Sequence, residues 1–260
     1  MGRRIILLFL TAVLLAAGGC GQRTVIHKTP QPEEPPESVQ GPTEPEPPAE
    51  TVPEQDEPAK PEPPAPEPES DDFVLVTDYL PQVRVDLRYA GADNFTGQTI
   101  YDFTDAYLRY GTVQKLAQAQ KVLEDAGYSL LIWDAFRPTE AQFRLWEVCP
   151  DPVYVANPEK GYSSHSRGNT VDVTLTDLDG NAVEMPSGFD DFSPLANRDY
   201  SDVSPDAATN AQLLEDVMTD CGFRPYSGEW WHFTDTDDYP VEERFSPAEK
   251  GRLNDAHHGH

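Results

Sequence analysis

A histidine in a polar turn needs no partner at a fixed distance along the chain, whereas a metal ligand does. In YSSHSRGNTVDVTL, residues 162–175, His165 is followed seven residues later by Asp172 at the head of an apolar run. The pattern S-x-H-x-x-G-x-x-x-D is spelled by Ser163, His165, Gly168 and Asp172, and Gly168 frees the backbone to bend between the two side chains. A third candidate, His232, stands in EWWHF with Glu229 three residues before it. Of the six histidines, His27 is near the N-terminus and His257, His258 and His260 are in a polar C-terminal run, which leaves His165 and His232 for the folded domain. A catalytic zinc site needs three protein ligands of the nitrogen/oxygen kind and an open position for water, together with a base that takes the water's proton, and two imidazoles with one carboxylate meet the first need. Glu229 is the candidate base.

Each of these residues also has a plain reading. His165 fits a turn histidine bonded to backbone, His232 a core histidine among aromatics, and Asp172 a strand-end cap. The combination favours the metal site, because it uses both domain histidines and leaves one acid free. On a flat strand Glu229 and His232 would face opposite sides, so a turn, bulge or strong twist near Glu229 must bring both inward. Arg137, in LLIWDAFRP, ends a buried strand at an edge where sites form. Its guanidinium could bind a carboxylate or polarise a carbonyl, or it could make an ordinary surface ion pair.

The elements that must position these residues follow from periodicity. FVLVTDYL (73–80) and VRVDLRY (83–89) alternate as extended segments, and residues 106–127 carry a helical stripe of Leu108, Val113, Leu116, Ala119 and Leu123 closed by Gly127. YSLLIWDAF (128–136) reads as a buried strand, and residues 139–148 as a helix with Thr139 as its N-cap. VDVTLTD (171–177) alternates as a strand and runs into a hairpin turned at Asp179-Gly180. A helix over 210–222 and a strand over 229–235 complete an α+β domain, a small mostly antiparallel sheet flanked by helices.

Composition divides the chain into residues 1–20, 21–72 and 73–260. Residues 30–70 hold 15 of the 26 prolines, and residues 30–72 carry 14 acids against Lys60 alone. Such a segment has too little apolar surface to offset its chain entropy, so 21–72 is expected to be a disordered, semi-rigid spacer. With four bases and no acids in the first 29 residues, the net charge of −27 leaves about −18 on the remaining domain. That surplus excludes nucleic acid as a partner. MGRRIILLFLTAVLLAAGGC has two arginines, an apolar stretch too short for a comfortable span, and small residues before Cys20. This predicts an exported lipoprotein acylated at Cys20, held on the outer side of the bacterial cytoplasmic membrane or in the periplasm. Cys149 and Cys221 could bridge in that compartment, but two separate buried thiols is the favoured expectation.

Five blocks in one order, VDLRYAGADNFTG, LLIWDAFRP, SSHSRGNTVDVTL, MPSGFD and GEWWHF, resemble the VanX-type D-alanyl-D-alanine dipeptidases over about residues 73–245. These zinc peptidases are related to VanY-type D,D-carboxypeptidases and to the hedgehog-like fold. The resemblance implies one zinc ion held by His165, Asp172 and His232, with Glu229 as catalytic base and Arg137 stabilising the tetrahedral intermediate. It implies that Ser163 contacts the substrate carboxylate, that Asp190 holds the free ammonium, and that Tyr89 lines the pocket. The expected substrate is D-Ala-D-Ala, met outside the membrane in wall turnover or scavenging. A D,D- or L,D-carboxypeptidase trimming peptidoglycan stem peptides is the alternative enzyme, and a non-catalytic zinc module binding the wall is the alternative of another class. The HHGH terminus is a further candidate metal site, set against a disordered tail.

Overall fold

The computed structural model describes residues 66–152 and 154–258; of residues 253–258 it gives the backbone alone. The leader, Cys20, most of the spacer and the histidine side chains of the C-terminal run therefore lie outside the described residues.

Five strands form the main sheet in the order β2 (Arg84–Val85), β4 (Tyr128–Asp134), β5 (Thr170–Asp177), β7 (His232–Asp235) and β6 (Phe223–Pro225). Every neighbouring pair is antiparallel except β2–β4, as the expected mostly antiparallel sheet requires. The central strands are buried along nearly their whole length because both faces are covered. Helices α2 (Tyr110–Asp125) and α4 (Pro205–Asp220) pack on one another and on this sheet. On α2 the residues Val113, Leu116, Gln120 and Leu123 are buried at three- and four-residue spacing, the stripe a core-facing helix needs. Ser204 caps α4, its hydroxyl oxygen accepting from the Ala207 amide at 3.1 Å, and Gly127 and Gly222 end α2 and α4 with φ near +90°.

Several boundaries differ from the expectation. Residues 73–80 are not one extended segment: β1 (Phe73–Leu75) pairs with β3 (Tyr107–Arg109), and a helical turn, α1 (Val76–Tyr79), follows. Val76 and Leu80 are both buried and four apart, so helical spacing serves burial here as well as alternation does. Residues 83–89 give only β2 before a 3-10 turn at Arg88–Ala90, where Tyr89's carbonyl takes the amides of Ile100 and Tyr101. The segment expected to open a helix at residue 106 begins as β3, all three of its residues buried, before α2 starts. On α3 (Thr139–Val148) the cap position belongs to Pro138, and Thr139 makes no capping bond. The Asp179-Gly180 turn is present, but it returns as a single bridge between Thr176 and Ala182. Residues 69–72, placed at the end of the spacer, bond into the domain: the carbonyls of Ser70 and Asp72 accept from Gly111 and Tyr110. Helix α5 (Pro247–His258) takes in the backbone of His257 and His258, where a disordered tail was the reading set against a metal site; residues 259–260 lie outside the described residues.

Candidate metal and substrate site

The site forms where β4, β5 and β7 end together. Asp172 on β5 is paired with His232, the first residue of β7, and with Asp134, the last of β4. His165 comes from a 3-10 turn, Ser164–Arg167, that leads into β5. Ser163 caps that turn, its hydroxyl oxygen accepting from the His165 amide at 3.3 Å, and Gly168 closes it at φ +74°. A Cβ at Gly168 would meet the ring of Phe73, so glycine is required both for its conformation and for the close approach.

Glu229 lies just ahead of β7, in a turn. Its amide bonds to the Tyr226 carbonyl and its carbonyl accepts from the His232 amide, each at 3.3 Å. The strand therefore starts at His232, three residues later than expected, and the turn sets the Glu229 carboxylate 3.6 Å from His232 Nδ1. This is the local bend that the two-residue alternation of a strand demanded.

The arrangement of lone pairs calls for a cation. His165 donates from Nδ1 to the Ala135 carbonyl at 2.8 Å, which leaves Nε2 as a bare acceptor. That Nε2 stands 3.4 Å from Asp172 Oδ2 and 3.4 Å from His232 Nδ1. Asp172 Oδ1 is buried and lies 3.0 Å from His232 Nδ1, yet no donor is aimed at it. One ligand atom from each of these three residues fits within 4.8 Å of the others. Two imidazole nitrogens and a carboxylate oxygen are a donor set suited to catalytic zinc, and three ligands leave room for water and substrate. His232 Nε2 is 3.4 Å from the Ser164 hydroxyl, an outer partner that holds the ring. Burial works to raise the Asp172 carboxyl, but His165 and His232 hold it far below the usual carboxylate range. Burial raises Glu229, the direction that suits a proton acceptor working near neutral pH.

The remaining candidates stand around the same cleft, of about 330 Å³. Tyr89, Arg137, Ser163 and Asp190 all line it, beside Glu229 and the three candidate ligands. Tyr89 donates its hydroxyl to Asp190 Oδ2 at 2.8 Å. Among the described residues, Asp190 is the one non-glycine with positive φ, +53°, a conformation aspartate tolerates better than most. Burial pushes its carboxyl up to about 7, against the lowering effect of the Tyr89 bond. Arg137 is no surface pair. Its guanidinium carbon is 5.0 Å from the Tyr89 ring centre, Nε and Nη2 bond to Asp134, and Nη1 bonds to Gln142.

Asp134 and Tyr101 stand behind Arg137 and were not among the residues the sequence singled out. The Tyr101 hydroxyl donates to Asp134 Oδ1 at 2.7 Å, and both residues are buried. An acid closing the apolar run LLIW, three residues before Arg137, was the available signal. Cys149 and Cys221 are separate free thiols, as expected, but each is half-buried at the edge of the core and not fully buried.

Comparison with known proteins agrees with this geometry. The Peptidase_M15 family, described as D-ala-D-ala dipeptidase, matches residues 69–250. An Escherichia coli K12 protein named D-alanyl-D-alanine dipeptidase is 39% identical over 165 residues, which cover 64% of this chain and 85% of that one. Proteins of the same name from Streptomyces coelicolor and Enterococcus faecium are 36% and 34% identical over 189 residues, covering 64% and 65% of this chain and 92% and 94% of theirs.

Proposed function

The chain belongs to the Peptidase_M15 family of D-Ala-D-Ala dipeptidases, zinc metallopeptidases, and from that premise we propose that it hydrolyses free D-alanyl-D-alanine with one zinc ion per chain. The observation that carries the dipeptide reading is Asp190, a half-buried carboxylate held by Tyr89 inside the cleft that the three candidate metal ligands line. A dipeptidase must read a free ammonium close to the scissile bond, whereas in a carboxypeptidase that space is taken by more peptide.

His165, Asp172 and His232 would hold the zinc ion, which when bound would supply an acidified water and Lewis acidity at neutral pH. Glu229 takes the water's proton on its carboxylate and passes it to the departing amine. Arg137 has five N–H groups, of which the bonds to Asp134 and Gln142 use three, leaving two for charge that develops on the carbonyl oxygen. Asp190 pairs with the ammonium, and Tyr89 fixes its orientation. Ser163 Oγ accepts from the His165 amide and keeps its own hydrogen for the substrate carboxylate.

A second reading, a D,D- or L,D-carboxypeptidase of peptidoglycan stems, is favoured by the open mouth of the cleft. Tyr154, Tyr162 and Tyr226 line it and stay 44%, 55% and 54% exposed. Release of D-alanine from D-Ala-D-Ala and from a stem pentapeptide, measured on the same enzyme, separates the two readings. Cleavage confined to the dipeptide supports the first, and faster cleavage of the pentapeptide replaces it with the second.

The cellular setting rests on the leader. Two arginines, a short apolar run and Cys20 support export and acylation, and the proline-rich acidic spacer supports a domain held off the membrane. Enzyme in that place meets dipeptide outside the cytoplasm, which fits wall turnover or scavenging. Labelling with a radioactive fatty acid, present in the intact chain and lost in Cys20→Ser, tests the anchor.

A further inference from the structure

Asp134 does not line the cleft, yet two parts of the site depend on its carboxylate. It ends β4 where the register with β5 slips: Ile132 faces Val173 but Asp134 faces Asp172, so β4 carries one extra residue at Trp133. The bulge turns a fully buried acid toward the site. Oδ2 accepts from Arg137 Nε at 3.0 Å and Nη2 at 2.6 Å. Oδ1 accepts from the Ala135 amide at 2.9 Å and the Tyr101 hydroxyl at 2.7 Å. The Ala135 carbonyl, in turn, takes the Nδ1 hydrogen of His165 at 2.8 Å.

From these contacts we infer that Asp134 is a positioning residue with two tasks. It holds Arg137 in place beside the scissile carbonyl. Through Ala135 it also fixes His165 in the tautomer that offers Nε2 to the metal. A carboxylate with four hydrogen bonds and no access to solvent is rigid, and rigidity in the partners of a ligand is what sets its aim. Tyr101 belongs to the same device, because its hydroxyl holds the oxygen that orients Ala135.

A merely structural buried pair would affect folding and leave these functions alone, so the test reads both tasks in the full chain. Asp134→Asn keeps the shape and removes the charge. Zinc affinity, measured by competition with a chelator, is expected to fall about 10- to 100-fold. At saturating zinc, kcat on D-Ala-D-Ala is expected to fall by a similar factor with KM close to wild type. Arg137→Ala should lower kcat without moving zinc affinity. The double variant should be no slower than Arg137→Ala alone, within about twofold, because both changes disable one guanidinium. Unchanged zinc affinity in Asp134→Asn overturns the His165 task, and additive losses in kcat overturn the Arg137 task. If Asp134→Asn does not fold, Tyr101→Phe removes a single bond to Oδ1 and should weaken zinc affinity and kcat in the same direction; no change in either overturns the inference. The kcat arm rests on the dipeptidase reading and the zinc arm does not. Wild-type protein that binds zinc and leaves D-Ala-D-Ala intact would sink that reading while the zinc arm still decides the role of Asp134.

Discussion

The carboxylate of Glu229 stands 3.6 Å from Nδ1 of His232, three residues further on, because a turn and not a strand joins them. A base that close to a metal ligand, and not needed as a ligand, is placed to serve the water. Glu229→Ala should therefore lower kcat about 100- to 10,000-fold while zinc content stays at the wild-type level. Steady-state kinetics paired with metal analysis checks both halves; loss of zinc along with activity would make Glu229 a ligand instead.

The Tyr89–Asp190 pair predicts a selective loss. Asp190→Ala removes the residue proposed to pair with the substrate ammonium, a group that a longer stem peptide does not present at this point. Cleavage of D-Ala-D-Ala should suffer at least tenfold more than any cleavage of a stem pentapeptide, about 1.4 kcal/mol of discrimination. Equal losses on the two substrates would place Asp190 outside the ammonium subsite.

Asp190 also predicts a pH dependence. Its carboxyl is raised to about 7, so it is largely protonated below that pH and cannot hold an ammonium by charge. In the free enzyme kcat/KM for the dipeptide should rise as pH increases through about 7. Stability runs the other way. A carboxyl raised above its unfolded value of 3.8 binds its proton more tightly in the folded state, so its ionisation costs stability as pH climbs from near 4 through about 7. Asp190→Asn should then lose activity but melt higher than wild type at pH 8, by about 2–4 °C for each kcal/mol relieved. The gap should narrow at pH 5 and close only below about pH 4, where the carboxyl is protonated in the unfolded chain as well, and thermal melts across that range check the sign.

Gly168 ends the His165 turn at φ +74°, with Phe73 filling the space a side chain would need. Gly168→Ala should be destabilising by more than about 1 kcal/mol, since strain in φ adds to the clash. It should also weaken zinc binding, because the turn that aims His165 must shift. A variant with wild-type melting temperature and zinc affinity would show that the turn tolerates a side chain.

Much of the site was legible in the sequence, for physical reasons that differ by residue. His165 and Asp172 belong to one short segment, and a metal needs ligands that converge, so spacing alone linked them. Glu229 and His232 were legible together with the need for a bend, because strand alternation forbids both from facing inward. Ser163, Tyr89 and Asp190 were reachable only through resemblance, since one hydroxyl, one ring and one acid carry no spacing signal. Asp134 escaped both routes. Its role depends on an extra residue at Trp133, and a bulge leaves no trace in an apolar run such as LLIW. The same limit explains the fold boundaries: Val76 and Leu80 suit either an alternating strand or a helical turn, and only the pairing of β1 with β3 decides between them.

The central claim is that the His165, Asp172 and His232 triad carries a single zinc on which dipeptide hydrolysis depends. The direct measurement is zinc content and D-alanine release from D-Ala-D-Ala on one preparation, followed through chelation and zinc addition. The account predicts one zinc per chain, with activity falling in step as zinc is withdrawn and returning when it is restored. Undiminished hydrolysis in zinc-free protein would contradict it.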